Sequence, residues 1–84
     1  MQTEVPIEVV RARLLEFVNS LVNTELDPDD DYFAQGLISS LVALELVTFV
    51  EHRFAITVEV ADLDLDNFRT VNRLAAFVLA KTGA

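Results

Sequence analysis

The stretch Gly36-Leu37-Ile38-Ser39-Ser40-Leu41-Val42-Ala43-Leu44-Glu45-Leu46-Val47-Thr48-Phe49-Val50-Glu51 decides how this chain folds. A glycine, a short apolar step and two serines precede an apolar run of helical length. The spacing predicts a helix from about Ser39 to Phe54 with the serines at its start. There a serine hydroxyl accepts a hydrogen bond from one of the first backbone N–H groups, which lack partners inside the helix. Ser39 suffices for that, which leaves Ser40 in the first turn without a local structural duty. A phosphate ester on Ser40 would face unpaired N–H donors and the positive end of the helix dipole. On spacing alone, capping is the commoner use of such serines.

The predicted helix is apolar on more than one face, with Glu45, Thr48, Glu51 and His52 as a narrow polar strip. A helix of that kind is the central pillar of a small bundle. Leu41 and Val42, beside the serines, are either an exposed docking patch or are covered by the preceding loop.

Outward from the pillar, Ile7, Val10, Leu14, Phe17, Val18 and Leu21 recur at steps of three and four, which predicts an amphipathic helix over about Pro6–Leu21. Pro6 suits its first turn. Asn23–Ile38 is a long loop by its proline and Asx content, and Tyr32, Phe33, Leu37 and Ile38 are expected to pin it to the core. After Phe54, Ala55–Ala61 looks like a strand. A single strand without a partner is not viable, so it is taken as an extended connector held by Ile56 and Val58. A short helical turn is expected around Asp62–Asp66. A last helix starts at the cap Thr70, shows Val71, Leu74, Phe77 and Val78 on one face, and ends near Lys81 with Gly83 beyond. The expected fold class is all-α, a four-helix bundle of three longer helices and one short one, with a long loop between the first two.

The 84 residues form a single domain over 1–84, 52% hydrophobic and with two glycines and two prolines. A chain this small buries only about 60–65% of its unfolded surface, so its core must be economical. The absence of cysteine excludes disulfides, thiolate metal sites and cysteine nucleophiles. The start Met1-Gln2-Thr3-Glu4-Val5-Pro6 does not resemble a signal peptide, and Glu45 and Glu51 interrupt the most apolar stretch, so a cytoplasmic, membrane-free, monomeric protein is expected.

Fourteen acids against six bases give a net charge of −8. That charge opposes binding to nucleic acid or anionic membranes and favours basic protein surfaces. Between Glu25 and Asp66 there are eleven acids and a single base, Arg53, so the middle of the chain makes the negative surface.

Several chemistries fail on spacing. Asp27, Asp29 and Asp31 fit the first, third and fifth positions of a calcium loop, but Tyr32 stands where glycine is needed and Ile38 where a bidentate glutamate is needed. Asp62, Asp64 and Asp66 fail in the same way. His52, the only histidine, lies twelve residues beyond Ser40. On one helix that is about 18 Å, whereas a nucleophile and its base must approach to roughly 3 Å. No catalytic set or metal site is therefore expected, and two distant glycines, Gly36 and Gly83, make no phosphate loop.

These residues resemble the acyl and peptidyl carrier proteins. Ser39-Ser40-Leu41-Val42-Ala43-Leu44-Glu45-Leu46 is similar to that family's attachment motif, with Gly36-Leu37 upstream. The similarity continues through Val50-Glu51-His52-Arg53-Phe54 and Asp66-Asn67-Phe68-Arg69-Thr70-Val71. The resemblance implies a non-catalytic carrier bearing a 4'-phosphopantetheine arm, drawn from coenzyme A, on Ser40 next to Ser39. It also implies a phosphopantetheinyl transferase as partner, together with enzymes that load and transfer acyl or aminoacyl groups through basic docking surfaces. Leu41, Val42, Glu45 and Glu51 match the family's partner-facing positions. Ser39 stands where the family usually has aspartate, keeping a capping oxygen but removing a charge. Val42 stands where fatty-acid carriers often have an acid. The Gly36–Leu41 stretch and the ends at Met1 and Ala84 resemble free-standing carriers of polyketide or nonribosomal-peptide pathways, with carriers of methoxymalonyl-type extender units as the nearest match. The rival reading is an acidic helical interaction module with an unmodified Ser40.

Overall fold

The computed structural model describes residues 6–82; the expectations for Met1–Val5 and for Gly83 and Ala84 lie outside the described residues. Three helices form the body: α1 (Ile7–Val22), α2 (Ser40–Phe54) and α3 (Val71–Thr82). No strand occurs among the described residues.

Each helix is placed by its apolar stripe. Val10, Leu14 and Val18 of α1 are buried against Val71, Leu74, Ala75 and Val78 of α3, while Leu46 and Val50, one turn apart on α2, complete the core. The Phe17 and Phe49 rings stack with centroids 4.0 Å apart and an interplanar angle of 10°, joining α1 to α2 through side chains. Pro6 is one position further out than expected. It precedes α1 with extended backbone, and its carbonyl accepts from the Val9 and Val10 N–H groups. Thr70 caps α3 as expected, its hydroxyl accepting from the Arg73 N–H at 3.0 Å.

The loop between α1 and α2 is tied down at both ends. Leu26, Tyr32 and Ile38 are buried and Phe33 packs against the core, but Leu37, expected inside, is exposed. The Tyr32 hydroxyl donates to the Phe68 carbonyl and the Tyr32 N–H to the Arg69 carbonyl. Burial, aided by the neighbouring Asp31 charge, pushes the Tyr32 phenol far above its ordinary value. The loop carboxylates have local partners: Asp31 Oδ1 accepts from the Phe33 and Ala34 N–H groups and Asp27 Oδ1 from that of Asp29. These Asx-type bonds account for the aspartates that mimic a calcium pattern.

The expected short fourth helix is not formed. Two separate single turns of 3-10 helix, Val60–Asp62 and Leu65–Asn67, flank Leu63 and Asp64. The cause is local. Asp64 Oδ1 accepts from the Asp66 N–H, and the Asp62 carbonyl, which that N–H would reach in a continuous helix, accepts from Asn67 Nδ2, so side chains interrupt the ladder between the two turns. The expected connector Ala55–Ala61 is shorter at both ends, since Ala55 is left-handed and Val60 and Ala61 belong to the first 3-10 turn; between them residues 56–59 are neither helix nor strand, with Ile56 and Val58 packed on the core.

Candidate functional site

Gly36 begins the approach to the site with φ +75°, in the left-handed region where an L side chain is strained. The turn is closed by the Leu37 and Ile38 N–H groups, both donating to the Tyr32 carbonyl, and the buried Ile38 fixes the chain just before α2. Ser39 follows with extended backbone as the N-cap, its hydroxyl accepting from the Val42 N–H at 3.3 Å.

Ser40 is the first residue of α2, and it is exposed. Ser39 has already satisfied the cap, so the Ser40 hydroxyl stands at the open end of the helix beside its first N–H groups. The first turn of α2 holds no acid, and its last turn holds His52 and Arg53. A phosphodiester at Ser40 therefore meets the positive end of the dipole with no carboxylate in that turn to repel it. Exposure, a satisfied cap and an acid-free first turn fit attachment of an anionic arm.

The other expected site residues divide. Leu41 is 76% exposed and Leu44 56%, whereas Val42 is half-buried and packs against the core. Glu45 is exposed. Glu51 is half-buried and its carboxylate accepts from the Val58 N–H at 2.8 Å, which pins the connector. His52 is exposed near the far end of α2.

Sequence reasoning expected the serine at a tip rather than at a cleft. In the structure Ser40 lines a cleft of about 200 Å³ with Phe33, Ala43, Leu44, Val47, Leu63, Asp64, Leu65 and Phe68. A larger depression of about 400 Å³ around Phe17, Thr48 and His52 lies on the α1 side of α2 and does not include Ser40. The signal for the missed wall is the pair Leu63 and Leu65, apolar residues alternating with Asp62, Asp64 and Asp66. Apart from Ser40 and the exposed Asp64 at its edge the cleft is apolar, which suits a pantetheine arm or a small group at its end better than an anionic ligand.

Comparison with known proteins adds to this geometry. The family model described as the phosphopantetheine attachment site matches residues 8–78. A D-alanyl carrier protein of Leuconostoc mesenteroides is 28% identical over 76 residues, covering 88% of this chain and 97% of the relative. One from Leuconostoc citreum is 29% identical over the same length and shares, and one from Bacillus velezensis is 38% identical over 48 residues, 57% of this chain and 62% of the relative.

Proposed function

This chain belongs to the phosphopantetheine attachment site family, and from that premise we propose that Ser40 is the residue to which the 4'-phosphopantetheine arm is joined. The observation that carries the proposal is the division of labour at the start of α2: Ser39 makes the cap bond, and Ser40, exposed beside it, is left with its hydroxyl available. In loading, the Ser40 oxygen forms a bond to phosphorus of the coenzyme A pyrophosphate, and the P–O bond to the adenylate half breaks. The hydroxyl proton passes to a base of the phosphopantetheinyl transferase. When bound, the arm supplies a thiol that holds acyl or aminoacyl groups as thioesters. The chain itself is non-catalytic; its residues hold, orient and present.

Partners are enzymes that load the arm or take its cargo, and their docking surfaces are basic. Leu41, Leu44 and Glu45 form the docking face, and Val42 supports it from the half-buried side. Glu51 acts on that face indirectly, by fixing the connector. The cargo is small. The Gly36–Leu41 stretch supports a carrier of the polyketide or nonribosomal-peptide kind, and the relatives named D-alanyl carrier proteins favour an aminoacyl cargo over a methoxymalonyl-type unit.

Intact-mass measurement after incubation with coenzyme A and a broad-specificity transferase tests this. Wild type gains one arm and Ser40→Ala gains none. If wild type stays unmodified with several transferases, the acidic interaction module is the better reading. Adding a D-alanine-activating ligase, ATP and D-alanine to the loaded protein then adds one D-alanyl group; uptake of a malonyl-type unit alone from its transferase would return the cargo to the extender-unit class.

A further inference from the structure

The cleft beside Ser40 has one wall of helix and one of connector. Ser40, Ala43, Leu44 and Val47 of α2 form the first, and Leu63, Leu65 and Phe68 stand in the second. Burial does not hold most of the connector wall: Val60, Leu63 and Leu65 are 87%, 54% and 47% exposed, and neither 3-10 turn contributes a buried side chain.

Polar ties hold it instead. At one end the Glu51 carboxylate accepts the Val58 N–H, and at the other the Tyr32 hydroxyl donates to the carbonyl of buried Phe68. Between them, Lys81 near the end of α3 reaches Asp62, with Nζ 2.6 Å from Oδ2. That same oxygen accepts the Glu59 N–H at 2.9 Å, so the ion pair is built into the first 3-10 turn. The Asp62 carbonyl accepts from Asn67 Nδ2 at 2.9 Å, which passes the constraint to the second turn and encloses Leu63 and Leu65 between fixed points. Lys81 is itself steadied, its ammonium 5.9 Å from the Phe77 ring centroid, and Phe77 packs on Phe68 at 5.4 Å.

We infer that Lys81 is a positioning residue: its bond to Asp62 sets how closely the Leu63–Leu65 wall stands to α2, and so how far a group attached at Ser40 is sheltered in the cleft. The inference rests on Ser40 being the attachment site. A single half-buried pair at the surface adds little to global stability. Its leverage is on a segment that has few other restraints, in keeping with local opening of weakly buried regions.

The test has two measurements. In the unloaded chain, hydrogen exchange at the Asp62–Asn67 amides reads the wall without the arm. Lys81→Met, which keeps the apolar stem, speeds that exchange while helical circular dichroism is unchanged; Asp62→Asn does the same, and Lys81→Arg restores slow exchange. In the second, Ser40 is loaded from a coenzyme A analogue whose thiol bears an environment-sensitive fluorophore. Emission is blue-shifted relative to the free conjugate in wild type and in Lys81→Arg, and moves back to the red in Lys81→Met. The solvent-exposed population rises about two- to fivefold, the range open to a surface ion pair. Unchanged exchange in both Lys81→Met and Asp62→Asn overturns the inference, as does identical emission of wild type and Lys81→Met. Faster exchange together with no uptake of the fluorophore by wild type would instead overturn the attachment reading, and with it the sheltering role.

Discussion

At the scale of single residues, two adjacent serines illustrate how type and position separate. Both were legible as helix-start residues, because a hydroxyl next to an apolar run is a cap signal. The order of the two assigns the cap to Ser39 and leaves Ser40 free, and the structure agrees: the Ser39 hydroxyl accepts from the Val42 N–H. Ser39→Ala removes the cap and destabilises the protein by about 1 kcal/mol, yet Ser40 remains loadable; chemical denaturation and intact mass measured on the same sample separate the two effects. Ser39→Asp retains the cap and recovers the loss, with about 0.3–1 kcal/mol more from the helix dipole.

Tyr32 makes the second case at this scale. It is the only tyrosine, and there is no tryptophan, so its absorbance is a private reporter. Its folded phenol is raised above the ordinary value of 10.0, chiefly by burial. A raised folded value means the stabilising contribution is complete below the unfolded pKa and is lost as pH climbs above it. Tyrosinate absorbance and loss of helical dichroism should therefore rise together above about pH 10. Tyrosinate formation near pH 10 with the helices intact would show the ring to be open to solvent. The Lys81 ammonium, also raised through its bond to Asp62, adds to the alkaline loss, so Tyr32→Phe leaves a shallower decline rather than none.

At the scale of elements, all three α-helices are legible, α1 and α3 from their periodicity and α2 from its capping serines and the length of its apolar run. The 3.6-residue stripe of α1 and α3 picks out the buried Val10, Leu14 and Val18 and the buried Val71, Leu74 and Val78. Reading α2 was harder because its apolar residues surround the axis. Periodicity could not say that Leu46 and Val50 go inside while Leu41 and Leu44 stay out. The expected fourth helix fails for a different reason: the Asp64 carboxylate takes the Asp66 N–H and the Asn67 amide takes the Asp62 carbonyl, and these local bonds compete with helical pairing at a range shorter than any periodic pattern. The cleft was hidden with it, since its connector wall is made by that segment.

Two element ends make a matched prediction. Gly36 has φ +75° with no atom within 4 Å of an added Cβ, so Gly36→Ala costs only backbone strain, about 1 kcal/mol. Ala55 ends α2 with φ 55°, a left-handed conformation that glycine adopts without a Cβ penalty, so Ala55→Gly gains up to about 1 kcal/mol despite greater unfolded-state entropy. Midpoints of urea denaturation shift in opposite directions for the two variants at constant slope. A gain from Gly36→Ala would show that the turn does not need its left-handed residue.

At the scale of the whole molecule, the charge of −8 is an overall asymmetry whose effect depends on which acids remain unpaired. Asp31 and Asp66 pair with Arg69, Asp62 pairs with Lys81, and Glu51 holds the connector. Glu45, exposed on α2 near exposed Leu41 and Leu44, is left to act outward. An exposed charge at a docking face acts mainly on association rate and salt dependence, whereas an exposed leucine acts on the lifetime of the complex. Glu45→Lys should slow association with a basic partner and flatten its dependence on salt. The difference from wild type should vanish once the screening length falls to about 3 Å, near 1 M salt. Leu41→Ala should speed dissociation at every salt concentration while leaving stability within about 0.5 kcal/mol. Stopped-flow or surface-based kinetics with the transferase, taken across a salt series, read both. If Glu45→Lys associates as fast as wild type at low salt, the negative middle of the chain is a solvated surface and steering must be assigned to another face.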